Sequence, residues 1–176
     1  MSNLELSSAA TQIENQMHDL MDRLLPRRKP VSLEDYDWSQ VNDRGLNQDF
    51  IEALGFVTLV EANPEAPAGK ILAAADRSKS SWLRRFITET WLPEERMHHV
   101  PYKEYLMRTG AYDKRFLDKE ISNVIARGFI HGEEYTELQA TTYGWLQELI
   151  TWKFYDSMRS YALSQNPEDA LIAKIL

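Results

Sequence analysis

Cysteine is absent from the 176 residues. Disulfide frameworks, thiolate metal sites and cysteine nucleophiles are therefore excluded. Glycine and proline are sparse, seven of each, so long stretches run without a backbone breaker. No β-alternating run of useful length occurs, and no Asn-Gly or Asp-Gly pair signals a hairpin. No internal repeat of solenoid period is present. Long apolar runs are missing too. The first 25 residues are interrupted by charge throughout, so neither a signal peptide nor a spanning helix is expected, and a cytoplasmic location is the default expectation.

Positive charge is in short supply, with 20 Lys and Arg against 27 Asp and Glu and a net charge of −7. That balance argues against general nucleic-acid binding. One local exception is Arg23, Arg27, Arg28 and Lys29, set around Pro26 and Pro30; its plain reading is a solvated loop flank. What is present is an ordinary globular composition, 43% hydrophobic and 27% charged. The length suits one domain with one sizeable core. Five Trp and eight Tyr fit a packed helical interior with polar tips at its edges.

Helix-period patterning fills the intervals between breakers. Leu6, Ile13, Met17, Leu20, Met21 and Leu24 form an amphipathic pattern over 3–25, and 26–45 reads as an extended loop. A helix is predicted from about 46 to 62, broken by Asn63-Pro64 and Pro67. Helix is predicted again over 70–109, interrupted at Pro93 and Pro101. A shorter helix opens at Asp113 and closes at Arg127-Gly128. A long aromatic-rich helix is predicted from Glu133 to Leu163, and Asn166-Pro167-Glu168-Asp169 reads as a fresh N-terminus. The expected fold is all-α: a single helical domain over 1–176, with an N-terminal helix and loop (1–45) and bundle helices over 46–176.

Three carboxylates fall on apolar stripes. Phe50, Leu54, Val57 and Glu61 share one helix face. Ile87, Trp91, Glu95, His98, Tyr102 and Tyr105 share another. Thr141, Trp145, Glu148, Trp152 and Tyr155 share a third. A buried carboxylate is costly unless it is paired or bound to a cation. Glu95 and His98, three residues apart, can both reach one metal ion, the Glu-x-x-His arrangement of bundle-type di-iron proteins. Iron favours hard oxygen donors completed by imidazole, and open coordination positions let O2 bind. Plainer readings stand beside this one. Glu94 and Glu95 could be first-turn acids after Pro93, Glu61 could sit on an exposed helix end, and Glu148 could be a rim residue.

Trp91-Leu-Pro-Glu-Glu-Arg-Met-His98 and Leu146-Gln-Glu-Leu-Ile-Thr151 resemble segments of the soluble acyl-carrier-protein (acyl-ACP) desaturases, ferritin-like di-iron enzymes, and especially their actinobacterial-type relatives. Leu59-Val-Glu-Ala-Asn63 and the loop from Lys29 to Tyr36 are looser matches. Pro93 stands where the family has alanine, and Met97 where it has arginine. The resemblance implies Glu61 as the lone metal ligand of the first bundle helix, Glu95 as a bridging carboxylate, His98 as its imidazole partner, and Glu148 as the lone ligand of the third. It further implies two iron ions, O2, a ferredoxin-type electron donor, a homodimer, and a double bond inserted into an acyl chain on a small acidic carrier protein. Trp91, Tyr102, Trp145 and Trp152 are the expected channel residues, and Arg23, Arg27, Arg28 and Lys29 the expected carrier-binding patch. In the family the last helix continues into a second Glu-x-x-His, and this chain ends about two turns short of it. The expectation is therefore a ferritin-like bundle truncated within its fourth helix, a fragment of a longer polypeptide. Two alternatives are a di-iron N-oxygenase or other oxidase acting on a carrier-bound substrate, and a metal-free truncated helical module that binds a partner.

Overall fold

The computed structural model describes residues 3–27, 29, 31–41, 47–128, 134–165 and 170–176. Arg28, Pro30, Gly45, His131 and the Asn166–Asp169 helix start lie outside the described residues. Eight α-helices are described: α1 (Asn3–Leu24), α2 (Gln48–Glu61), α3 (Glu65–Ser78), α4 (Ser81–Arg85), α5 (Leu92–Arg108), α6 (Lys114–Arg127), α7 (Glu137–Gln165) and α8 (Ala170–Ile175). Short 3-10 turns occupy the loop after α1. The described residues contain no strand, and the architecture is an all-α, ferritin-like helix bundle. Among them no helix is long and apolar enough to cross a membrane.

Local signals set several boundaries. The Asn47 side chain accepts the Phe50 N–H at 2.8 Å to start α2, and Asp113 accepts the Phe116 N–H at 2.8 Å to start α6. Gly128 closes α6 with a positive φ of 67°, a conformation that glycine adopts without steric cost. The prolines behave differently from their intrinsic preference. Pro67 lies in the first turn of α3, where backbone N–H groups have no intrahelical partner. Helix is continuous from Ser81 through Pro93 and Pro101 to Arg108. A π-helical segment, Phe86–Trp91, joins α4 to α5 just before Pro93. Its wider turn loosens the ladder where Pro93 lacks an N–H and its ring would crowd the carbonyl one turn back. Pro101 is buried, and tertiary packing there outweighs an intrinsic cost of about 3 kcal/mol.

The core has two parts. Phe50, Leu54 and Val57 of α2 pack with Tyr102, Tyr105 and Leu106 of α5 in the larger cluster. Ala68, Ile71 and Ala75 of α3 pack with Leu83, Ile87 and Ala140 in the smaller. Polar ties hold the helices in register. Glu14 of α1 accepts from the Ser81 hydroxyl at 2.7 Å and the Trp82 N–H at 3.1 Å, capping the start of α4. Glu65 pairs with Arg96 at 2.7 Å and links α3 to α5.

Helix α7 departs from the stripe reading. Trp145 and Trp152 are 65% and 58% exposed, whereas Ala140, Met158 and Ala162 are buried. It packs against α3 and α8, so helical spacing alone did not identify its buried face.

Candidate metal centre

Glu61 is the last residue of α2, and Glu95 and His98 lie one turn apart in α5. Packing of α2 along α5 brings the three together, and one donor atom from each lies within 4.8 Å of the others. His98 Nδ1 stands 3.3 Å from Glu95 Oε2 and 3.8 Å from Glu61 Oε2. The two carboxylates are largely withdrawn from solvent, at 12% and 13% side-chain exposure. Glu61 also sits at a helix C-terminus, where the macrodipole opposes a negative charge. A bound cation would relieve both penalties. Two carboxylates and an imidazole form a donor set suited to iron.

Burial alone would push the His98 imidazole down, but hydrogen bonds and charge from Glu61 and Glu95 outweigh it and push it up to about 10. The metal-free centre therefore holds a proton on His98 at neutral pH. Its folded-state pKa lies above the unfolded value, so this stabilisation is complete below about pH 6.5 and is lost as pH rises through about 10. A metal must displace that proton. Ferrous-ion affinity is expected to rise with pH, by up to about tenfold per unit between pH 6 and 8. Anaerobic titrations at several pH values test this; a flat profile would remove His98 from the ligand set.

Glu148 is not part of the three-residue cluster. It is an exposed residue whose Oε1 accepts the Trp91 indole N–H at 2.7 Å. Desolvation pushes its carboxyl above the usual range; the Trp91 hydrogen bond opposes this, and the charge on Glu95 adds to it. Glu148 is thus within electrostatic reach of the centre. Trp91 and Glu148 also line an apolar pocket of about 260 Å³ between α3, the π segment and α7. Ile71, Leu83, Ile87 and Trp145 contribute to its walls. A cleft holding Glu61 and Glu95 shares Pro67, Trp91 and Gln147 with that pocket, so the two are adjacent.

Of the other aromatics singled out in the sequence, Tyr102 does not line the pocket. It is buried in the larger core cluster against Tyr155, with ring centroids 5.8 Å apart. Trp152 lies on the surface with the Lys153 ammonium 4.3 Å from its ring centroid. In the basic group, Arg23 donates to the Asp19 carbonyl at 3.2 Å, Lys29 pairs with Asp35, and Arg27 ends a 3-10 turn. Sequence reasoning gave no role to Tyr155, whose phenol donates to Glu61 Oε1. A signal was present: Tyr155 follows Glu148, and Tyr102 follows Glu95, by two helical turns on the same face. Burial pushes both phenols well above their ordinary range, so both are protonated at neutral pH.

Residues 68–176 match the family model described as fatty acid desaturase. The chain belongs to the fatty acid desaturase family. The matched span contains Glu95, His98 and Glu148, and Glu61 precedes it. No curated protein and no solved structure matches significantly. Family membership supports a desaturase-like function, and together with the Glu–His cluster it suggests iron as the metal.

Proposed function

We propose that this desaturase-family chain serves an O2-dependent, di-iron desaturation of an acyl chain carried on a small acidic carrier protein. One observation carries the reading: Glu61, Glu95 and His98 converge, and the cleft lined by Glu61 and Glu95 shares Trp91 with an adjacent apolar pocket. Bound iron would supply O2 activation strong enough to oxidise an unactivated methylene. In the balanced reaction, two adjacent methylenes each lose a hydrogen as the double bond forms. O2 takes two electrons from the substrate, two from a ferredoxin-type donor and two further protons, giving two waters.

The protein's own residues would hold and orient. Glu61, Glu95 and His98 would hold one ion, and Glu148, whose Oε1 is held by the Trp91 indole, would contribute to the second. The pocket walls would exclude water and keep the acyl chain extended. These apolar walls favour a hydrocarbon chain over the amine of an N-oxygenase substrate. Arg23, Arg27 and Lys29, with Arg28 by sequence alone, are proposed to meet the carrier's acidic surface. Exposed apolar side chains on α7, among them Trp145, Ile150 and Trp152, are the surface proposed for a homodimer.

The direct test supplies iron-loaded protein with acyl carriers of several chain lengths, reduced ferredoxin and O2, followed by mass analysis of the released acids. A mono-unsaturated product is expected; unchanged acids from fully loaded protein would sink the reading. Gly144 lines the pocket, and a Cβ added there meets nothing within 4 Å. Gly144→Leu is therefore expected to fold, load iron normally, and raise KM for long acyl chains by at least about tenfold. Unaltered KM would place the chain elsewhere.

A further inference from the structure

The two oxygens of Glu61 have different surroundings. Oε2 is the one that faces His98 Nδ1, at 3.8 Å. Oε1 accepts a hydrogen bond from the phenol of Tyr155, 94 positions further along the chain. Tyr155 belongs to α7, an element that contributes no side chain to the converging cluster. Its ring also packs against that of Tyr102. Tyr102 is only 5% exposed, and the two rings sit 5.8 Å apart at a 51° tilt, which anchors the Tyr155 ring against the core.

We infer that Tyr155 is a positioning residue for Glu61, occupying Oε1 so that Oε2 is the oxygen presented toward Glu95 and His98. Without it, the carboxylate at the end of α2 can rotate and offer both oxygens to a metal. The side chain thereby sets orientation and basicity at the ligand from one step behind it, as outer-shell partners of metal ligands do. The inference rests on the metal reading of Glu61, Glu95 and His98.

Cobalt(II) is the probe, because its visible d–d bands report the ligand geometry directly and need no turnover. Tyr155→Phe keeps the ring and loses only the hydroxyl. It is expected to weaken cobalt binding about 10- to 100-fold and to shift the d–d bands. Tyr102→Phe removes a phenol from the same core and leaves the Tyr155–Glu61 bond in place. It is expected to keep the wild-type bands and to change affinity by less than about threefold, since the Tyr102 ring still packs against Tyr155 and the hydroxyl it loses makes no hydrogen bond to Glu61. Wild-type affinity and bands in Tyr155→Phe would overturn the inference, whatever happened to its melting temperature. Equal damage from both variants would also overturn it, because general loosening of the core would then be the cause. Failure of the wild-type protein to bind cobalt at all would instead sink the metal reading, and this inference with it.

Discussion

Glu95→Ala is expected to reduce iron retention to trace levels after anaerobic loading and desalting. Glu95 is the carboxylate nearer to the imidazole, with its Oε2 3.3 Å from His98 Nδ1 against 3.8 Å for Glu61 Oε2, and its side chain is 13% exposed. Removing it leaves one carboxylate and one imidazole, too few donors to compete with water for a ferrous ion. The loss should exceed the 10- to 100-fold effect typical of outer-shell partners. Glu95→Gln separates charge from shape: it keeps the volume but loses the anionic donor, so its iron content should also collapse. A second readout is the imidazole itself. His98 is pushed up to about 10 largely by the two carboxylates, so in Glu95→Ala its titration, followed by proton NMR of the metal-free protein, should move down toward the ordinary histidine range. Stoichiometric iron in Glu95→Ala would refute the ligand assignment.

Leu54→Ala is expected to cost about 3 kcal/mol of stability, the scale of a leucine truncated in a close-packed core. Leu54 is fully buried on α2, within the cluster that joins α2 to α5. A loss of that size should lower the melting temperature by about 6–12 °C in a chain of this length. The same contact holds Glu61 against α5, so iron affinity should also fall, although Leu54 carries no donor atom. Calorimetry and a metal titration on the same preparation check both parts. A melting temperature within about 1 °C of wild type would mean that the α2–α5 seam is not a stability determinant.

The parts of the fold that were legible in the sequence are those set within a few residues. The Asp113 cap and the Gly128 stop of α6 depend on local hydrogen bonding and a local φ, and both stand where the sequence placed them. The α2 stripe of Phe50, Leu54 and Val57 is buried along its length, because one helix packs on it with one face. The prolines were less legible. Pro93 and Pro101 carry strong intrinsic signals for interruption, but a π turn before the first and burial of the second keep the helix continuous. Propensity is a per-residue preference, and packing over many residues exceeds it.

For the candidate site, the sequence by itself determined the donor types, the exclusion of thiolate, and the one-turn spacing that sets Glu95 beside His98, since that spacing is a property of the helix. Only the tertiary structure decided that Glu61 joins them, that Glu148 turns to Trp91, and that Tyr155 occupies one oxygen of Glu61. It also left Trp152 on the surface, although that residue shares a helical stripe with Glu148 and Tyr155. The physical reason is common to all four. Helical period specifies which residues share a face, but the rotation and depth at which two helices meet depend on side chains from both, tens of residues apart in the chain.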